Sequence, residues 1–406
     1  MTPVRDVSKV PGVIERPEFT IGIEEEYLVV DRETRDLTKS PPPEMWKALQ
    51  EVLGHQVSHE FLKAQIEVGT KVCTSVKDAG QDLARMRKEL SKIVEGYGSA
   101  IIASSTHPFA NWSEQETTDD PRYATLAKDF QQVARQLVIC GMHVHVGIED
   151  PHLRIDLMNQ MRYMLPHLLT LSTSSPFWAG EPTGLLAYRL VIFQNLPRTG
   201  IPQEFASWEE FQRTLDVLIE AGLVEDGTKL WWDIRPSSRY PTLEMRVSDV
   251  CTRLEDALTV AALYQCLLGY LYRLRRNNQR WRTYSGMMIE ENMWRAQRYG
   301  VEGSLVDFGK GVLVPYSELV EEFIEVLAQD AIEFDVREEL RHARDIVRHG
   351  TSAHRQLKTF ESATADGASR REALNAVVDG LIVDTLYGLD YAPGTGDHPL
   401  KTGREI

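Results

Sequence analysis

Four stretches of the chain alternate apolar and polar positions with the period of two expected of a strand buried on one face. Residues 20–30 (TIGIEEEYLVV) set Ile21, Ile23, Tyr27 and Val29 against Glu24 and Glu26. Residues 64–72 (AQIEVGTKV) set Ile66 and Val68 against Glu67. Residues 138–148 (VICGMHVHVGI) set Met142, Val144, Val146 and Ile148 against His143 and His145. Residues 242–248 (TLEMRVS) set Leu243, Met245 and Val247 against Glu244 and Arg246. Residues 229–235 (KLWWDIR) read as a further strand. One-sided strands belong to antiparallel sheets, since parallel sheets covered on both faces read as continuous apolar runs.

Helical periodicity appears in four places. Residues 75–97 open on a capping Ser75 and repeat Leu83, Met86, Leu90, Ile93 and Val94; residues 156–171 repeat Leu157, Met161, Met164, Leu165 and Leu168. Residues 255–277 are apolar nearly all round, the pattern of a central packing helix, and residues 317–388 alternate helices with short breaks. The fold class expected is α/β (α+β): a largely antiparallel sheet with helices packed on its apolar face. Residues 1–18 read as an N-terminal arm, 19–390 as a single catalytic domain whose part from about 255 is mostly helical, and 391–406 as a flexible polar tail rich in Gly and Pro.

The polar face changes the picture from architecture to chemistry. A wet strand face usually carries Thr, Lys, Ser and Arg; this one carries Glu24, Glu26, Glu67, His143, His145, Glu244 and Arg246, interspersed with Gly22, Gly69, Gly141 and Gly147. Side chains two apart on a strand lie about 6.5–7 Å apart. Carboxylates that close repel unless a cation sits beside them, and glycines let a ligand approach the backbone. Carboxylate-rich ligation favours a hard cation, Mg²⁺ or Mn²⁺, while His-x-His with a Glu keeps Zn²⁺ or Fe²⁺ open as the alternative.

The 406 residues carry 60 acidic against 45 basic side chains, a net charge of −15. That speaks against general affinity for nucleic acid or anionic membrane, which need clustered Lys and Arg. The longest uncharged run, residues 257–272, is shorter than the roughly 20 residues that span a bilayer. The N-terminus lacks an apolar signal region, and the four cysteines form no Cys-x-x-Cys pair, so a soluble cytoplasmic protein with free buried thiols is expected. No Walker-type phosphate loop occurs; the nearest approach, Gly222 to Lys229, reads as a turn. Arg189, Arg198, Arg235, Arg246, Arg295 and Arg298 are candidates to fork carboxylates or phosphates, with Arg246 favoured because it shares a strand face with Glu244. Trp178, Trp231 and Trp232 read as packing residues.

Gly22-Ile-Glu24-Glu25-Glu26, Gln65-Ile-Glu67, Gly141-Met-His143-Val-His145-Val-Gly147, Ser174-Ser-Pro-Phe-Trp178, Trp232-Asp-Ile-Arg235-Pro and Glu244-Met-Arg246 follow one another in this order. Together they closely resemble the carboxylate–amine ligase family, also called the type 2 glutamate–cysteine ligase family, over about residues 20–300. The resemblance implies a glutamine-synthetase-like fold, with a curved antiparallel sheet whose concave polar face holds metals, ATP and an acidic substrate. It implies ATP-dependent, Mg²⁺-requiring (or Mn²⁺-requiring) amide formation through a γ-glutamyl phosphate, with glutamate and cysteine, or another amine, as substrates. Glu24 and Glu26 would be metal ligands, completed by Glu67, His143 and Glu244. Arg246 would face the ATP or acyl phosphate, and Arg189 and Arg235 the substrate carboxylates or phosphate. Glu60 is a further metal candidate, although its odd separation from Glu67 would place the two on opposite faces of an unbroken strand. His145 would be the base or a structural hydrogen-bond partner.

No enzyme nucleophile is required, and none is evident. The alternatives are a ligase acting on another acid or amine, a metal-dependent hydrolase built on His143, His145 and a Glu, and a nucleotide-binding regulator without turnover. The apolar helices after Leu254 could pack internally or form a dimer face, so a homo-oligomer stays open.

Overall fold

A computed structural model describes residues 15–390. The expected tail lies outside the described residues, as does the expected arm up to residue 14.

In chain order the elements are β1 (Ile21–Asp31), α1 (Pro43–Leu53), β2 (Val57–His59), β3 (Gln65–Gly69), α2 (Val76–Glu95), β4 (Ser99–Ile102), α3 (Pro121–Arg135), β5 (Met142–Gly147), α4 (Pro151–Met161), α5 (Leu165–Ser172), α6 (Arg189–Phe193) and α7 (Trp208–Glu220). There follow β6 (Ile234–Pro236), β7 (Thr242–Met245), α8 (Leu254–Arg276), α9 (Gly286–Tyr299), a hairpin of Ser304–Asp307 with Val312–Pro315, and helices α10 (Tyr316–Val326), α11 (Ala328–Glu333), α12 (Arg337–His349), α13 (Ser352–Ala365) and α14 (Arg370–Thr385). The seven strands form one sheet in the order β6-β7-β5-β1-β3-β2, with β4 also paired to β1. Every pairing in it is antiparallel.

β1 is the axis of the sheet. Its 11 residues pair with β5 at one end, β3 in the middle and β4 at the other end. Burial alternates through Glu26 and then becomes continuous from Tyr27 to Val30, where apolar neighbours close over both faces. The apolar side is covered by α2, which packs on β1 and β4, and by α8, which packs on β5. Each fully buried Leu, Ile or Val there contributes about 1.5–3 kcal/mol relative to exposure. Ser75 caps α2 as expected, its hydroxyl accepting from the Asp78 N–H. By length and composition α8 could cross a membrane, yet 78% of its most apolar stretch is buried inside the protein. It is the central packing helix its all-round apolar pattern implies.

Two elements differ from expectation. The helix expected over 156–171 is two helices: α4 begins earlier, at Pro151 with Asp150 as its cap, and a 3₁₀ turn at Arg162–Met164 precedes α5. Pro166 in the first turn of α5 cannot donate an intrahelical hydrogen bond and forces the break. The strand expected over 229–235 is also divided. Trp231–Trp232 pairs in parallel with Thr199–Gly200, and only β6 joins the main sheet. The chain changes partner at Asp233, whose N–H donates to Gly200 and whose carbonyl accepts from Arg246 and Val247. Trp232 is drawn out of the sheet by Phe205 and Phe211, at ring distances of 5.8 and 6.3 Å.

Candidate active site

The register of the sheet assembles the polar residues row by row. Glu24 pairs with His143 on β5 and Gly69 on β3. Glu26 pairs with Glu67. His145 lies between Gly22 and Glu244, and Glu244 lies beside Arg235. Directly opposed residues on antiparallel strands sit about 4.5–5.5 Å apart, so these side chains form one continuous strip across five strands. The strip floors a cavity of about 310 Å³ lined by ten of the candidate residues: Glu24, Glu26, Glu60, Glu67, His143, His145, Arg189, Arg235, Glu244 and Arg246. A Cβ added at Gly22 or Gly69 would meet nothing closer than 3.9 and 3.8 Å respectively. Packing alone does not demand glycine there; the space stays open above the strip.

Glu60 reaches the strip by a route the spacing argument did not foresee. The segment is a hairpin, β2 and β3 joined by a turn, so Glu60 and Glu67 both line the cavity despite their odd separation. Ligand atoms of Glu26, Glu60 and Glu67 lie within 4.8 Å of one another. The same holds for Glu24, Glu67 and His143, and for Glu24, His145 and Glu244. Glu67 joins the first two groups and Glu24 the last two.

The electrostatics show what this crowding costs. Burial, and then the charges of Glu60, Glu24 and Glu26, push the Glu67 carboxyl well above its usual range. Burial also disfavours the Glu24 carboxylate, but hydrogen bonds and charge from His143 and His145 outweigh it and hold the group well below that range. His143 Nδ1 stands 3.1 Å from Glu24 Oε2, and its pKa is lowered by burial and by the Arg246 charge. Burial depresses His145 too, but Glu244 and Glu24 more than compensate and raise it. Its Nδ1 meets Thr242 Oγ1 at 2.9 Å, and its Nε2 faces Glu24 Oε1 at 3.5 Å.

The arginines are held as firmly as the acids. Arg235 forks Glu244 at 2.8 and 3.0 Å and donates to the carbonyls of Thr228 and Leu230. Arg246 donates to Glu244 Oε1 at 2.5 Å. The buried Glu244 is held well below the usual carboxylate range because the Arg246 and Arg235 charges overcome the penalty of burial. Arg189 is only 3% exposed. Its guanidinium lies over Gly141, where a Cβ would stand 2.4 Å from Nη2, and it donates to the carbonyls of Arg246 and Val247. It therefore braces the segment that carries Arg246. The other arginines face elsewhere: Arg198 donates to Lys229 O and Arg295 to Ser304 O, and neither lines the cavity, nor does Arg298. Of the three tryptophans, Trp231 lines it.

The glutamate–cysteine ligase family 2 model matches residues 20–380. The chain belongs to this family. Relatives named "Putative glutamate–cysteine ligase 2" share 58% identity in Rhodospirillum rubrum (92% of this chain, 97% of the relative) and 51% in Jannaschia sp. (90% and 96%). Among solved structures, a Francisella tularensis glutamate–cysteine ligase in complex with AMP matches with a TM-score of 0.65 at 13% identity, covering 93% of this chain and 91% of that one. A bifunctional glutathione synthetase from Pasteurella multocida also gives 0.65, at 14% identity over 90% of this chain and 52% of that one. The fold is that of these ligases.

Within the family fold, several cavity residues had no sequence signal of their own. Thr228 and Lys229 line it from the turn after Gly222, and Arg239 and Tyr240 from the turn joining β6 and β7. Tyr240 sets its ring 6.1 Å from that of His145. The triple-Glu stretch also hid a division of labour. Glu25 points away from the strip into the core, where Arg87 pairs with it at 2.7 Å and both side chains are fully buried.

Proposed function

We propose that this member of the family joins the γ-carboxylate of glutamate to an amine at the expense of ATP, with cysteine the leading amine and γ-glutamylcysteine the product. The observation that supports this reading is the single strip in which clustered carboxylates, two imidazoles and two guanidiniums share one cavity. The donor set fits Mg²⁺ or Mn²⁺. Oxygen ligands dominate, the acids repel one another in the absence of positive charge, and Glu67 bears the largest part of that repulsion. Glu24, Glu67 and His143 would hold one ion and Glu26, Glu60 and Glu67 another. Bound there, such ions neutralise phosphate oxygens and let two anionic substrates approach. Glu244 serves better as the anchor of Arg235 and Arg246, which engage both its oxygens.

The chain's own groups account for the rest. A carboxylate is a poor electrophile; transfer of the γ-phosphoryl group makes it an acyl phosphate and releases ADP. Arg246, held rigidly by Glu244 and braced by Arg189, presents fixed positive charge to the phosphoryl group as charge builds there. The amine then attacks the acyl carbon and phosphate leaves. His145, whose buried Nε2 faces Glu24 Oε1 at 3.5 Å, would take the amine proton, with Thr242 Oγ1 orienting the ring through Nδ1. A cytoplasmic site of action fits the four unpaired, buried thiols and the need for ATP.

The test is ADP release with ATP and Mg²⁺, first with glutamate alone and then with glutamate and each of a panel of amines, products being read by mass spectrometry. A γ-glutamyl amide names the acceptor. Glu24→Gln and Glu26→Gln should each abolish turnover while circular dichroism stays unchanged. Undiminished activity in both variants overturns the metal assignment, and no product with any amine overturns the glutamate reading.

A further inference from the structure

A second cavity, of about 370 Å³, shares no lining residue with the first. It opens among α5, α8, α10, the loop after α8 and the 304–315 hairpin, and its walls are aromatic: Tyr163, His167, Tyr270, Trp281, Tyr284 and Phe323. Tyr163 sits at the centre of this cluster, 5.1 Å from the Tyr284 ring and 5.7 Å from those of Trp281 and His167. The volume falls within the range of about 300–1,000 Å³ usual for small-molecule sites.

Two polar groups in this wall lack hydrogen-bond partners among the described residues. His167 is 1% exposed, and neither ring nitrogen makes a hydrogen bond. The buried Trp281 Nε1 has none either. Native proteins rarely leave buried donors and acceptors unpaired, because each has given up water for nothing. The backbone around both is firmly fixed: Tyr316 donates to His167 O at 2.7 Å, and Trp281 N donates to Gln160 Oε1 at 2.9 Å. Burial keeps the His167 ring neutral, so it offers one donor and one acceptor, to which the Trp281 indole adds a second donor.

The charged residues at the rim are largely paired among themselves. Lys310 bridges Asp307 at 3.0 Å and Glu322 at 3.2 Å, and Arg280 meets Asp156 at 3.3 Å. Arg282, the remaining lining cation, sets its guanidinium over the Tyr284 ring at 5.2 Å, and the wall formed by His167 and Trp281 carries no charge of its own. We propose that this cavity is a binding site for a neutral, planar heteroaromatic molecule carrying a hydrogen-bond donor and acceptor on one edge. Its faces stack among the tyrosines, and its polar edge meets His167 and Trp281. This site is independent of the ligase reading and stands or falls separately.

The probe is benzimidazole, flat and neutral at pH 7.5 with one N–H and one ring acceptor; indene is its apolar match. Titration of the full chain, followed by tryptophan fluorescence and by ring-nitrogen resonances in ¹⁵N-histidine-labelled protein, should show saturable benzimidazole binding that shifts one buried neutral histidine. Indene should bind about tenfold more weakly or worse, as should benzimidazole to His167→Phe. Leu319→Trp, which fills the cavity, should block the probe, and both variants should retain wild-type ADP release. ATP with Mg²⁺ should not displace it. The proposal is overturned by absence of saturable binding up to the solubility limit, by equal affinity for indene, by binding that survives both substitutions, or by displacement with ATP.

Discussion

Removing Arg87 tests how the acidic strip is held in place. Its guanidinium is wholly buried and makes five hydrogen bonds: two to Glu25 at 3.0 and 2.7 Å, and one each to the carbonyls of Thr252, Thr385 and Cys251 at 2.7, 3.1 and 3.0 Å. Tyr27 adds a hydroxyl bond to Glu25. Arg87→Met keeps most of the volume but leaves a carboxylate uncompensated in the core and three carbonyls short of a donor. Breaking a buried ion pair from one side costs about 3–5 kcal/mol, or roughly two to four decades in the folding equilibrium. Arg87→Met/Glu25→Gln removes the stranded charge while retaining an acceptor for Tyr27. It should regain at least about 1–2 kcal/mol of that loss, a coupling of the size expected between contacting groups. The assay is a double-mutant cycle on urea unfolding followed by fluorescence. A single-variant cost below about 1 kcal/mol, or a double variant no more stable than Arg87→Met, would refute the account of Glu25 as a core charge that needs Arg87.

Other consequences follow from the same geometry. Gly141→Ala drives a methyl into the Arg189 guanidinium; it should cost about 1–3 kcal/mol in urea and lower kcat about tenfold or more, whereas Gly22→Ala should leave stability unchanged. Equal stability losses in the two would show that Arg189 yields freely. Glu67→Gln removes the most strained carboxylate, so in EDTA the variant should melt above wild type while needing about tenfold more Mg²⁺ for half-maximal ADP release; a lower melting temperature in EDTA contradicts the repulsion argument. Because the Glu67 pKa is raised by folding, its ionisation subtracts stability as pH climbs, so that advantage should widen with pH. His107 is pushed down to about 3 by burial, and its Nδ1 accepts from Phe109 N and Ala110 N, a role a protonated ring cannot fill. Its stabilisation is complete above pH 6.5 and lost as pH falls toward 3, at about 1.4 kcal/mol per pH unit, so His107→Asn should flatten the acid limb of stability by one proton; an unchanged slope refutes it.

The faces of the strands were legible because period-two alternation fixes which side chains share a surface. Glu24, Glu26, Glu67, His143, His145, Glu244 and Arg246 fall where that rule puts them. The rule failed where the backbone departs from a strand. Glu60 needed the turn between β2 and β3, and the tryptophan pair left the sheet for an aromatic cluster that only tertiary packing reveals. Glu25 was hidden by its neighbours: three consecutive acids read as one feature, although the middle one must point the other way, and its partner lies 62 residues on. Arg189, expected as a substrate ligand, lines the cavity and also donates to two main-chain carbonyls, a bond pattern with no trace in sequence.

The five bonds of Arg87 also impose an order on biosynthesis. The guanidinium and Glu25 are translated early, and β1 can meet α2 long before the chain is finished. The carbonyls of Cys251 and Thr252 come much later, and that of Thr385 lies in α14, the last helix among the described residues. Until that helix docks, one N–H of the pair must keep water, and the nascent sheet retains a wet seam beneath its first strand. At about 5–20 residues per second, the ribosome leaves this seam open for tens of seconds. A chaperone that shields the underside of β1 during elongation, or a stalled transcript ending before residue 385, would act at that seam and not at the catalytic face.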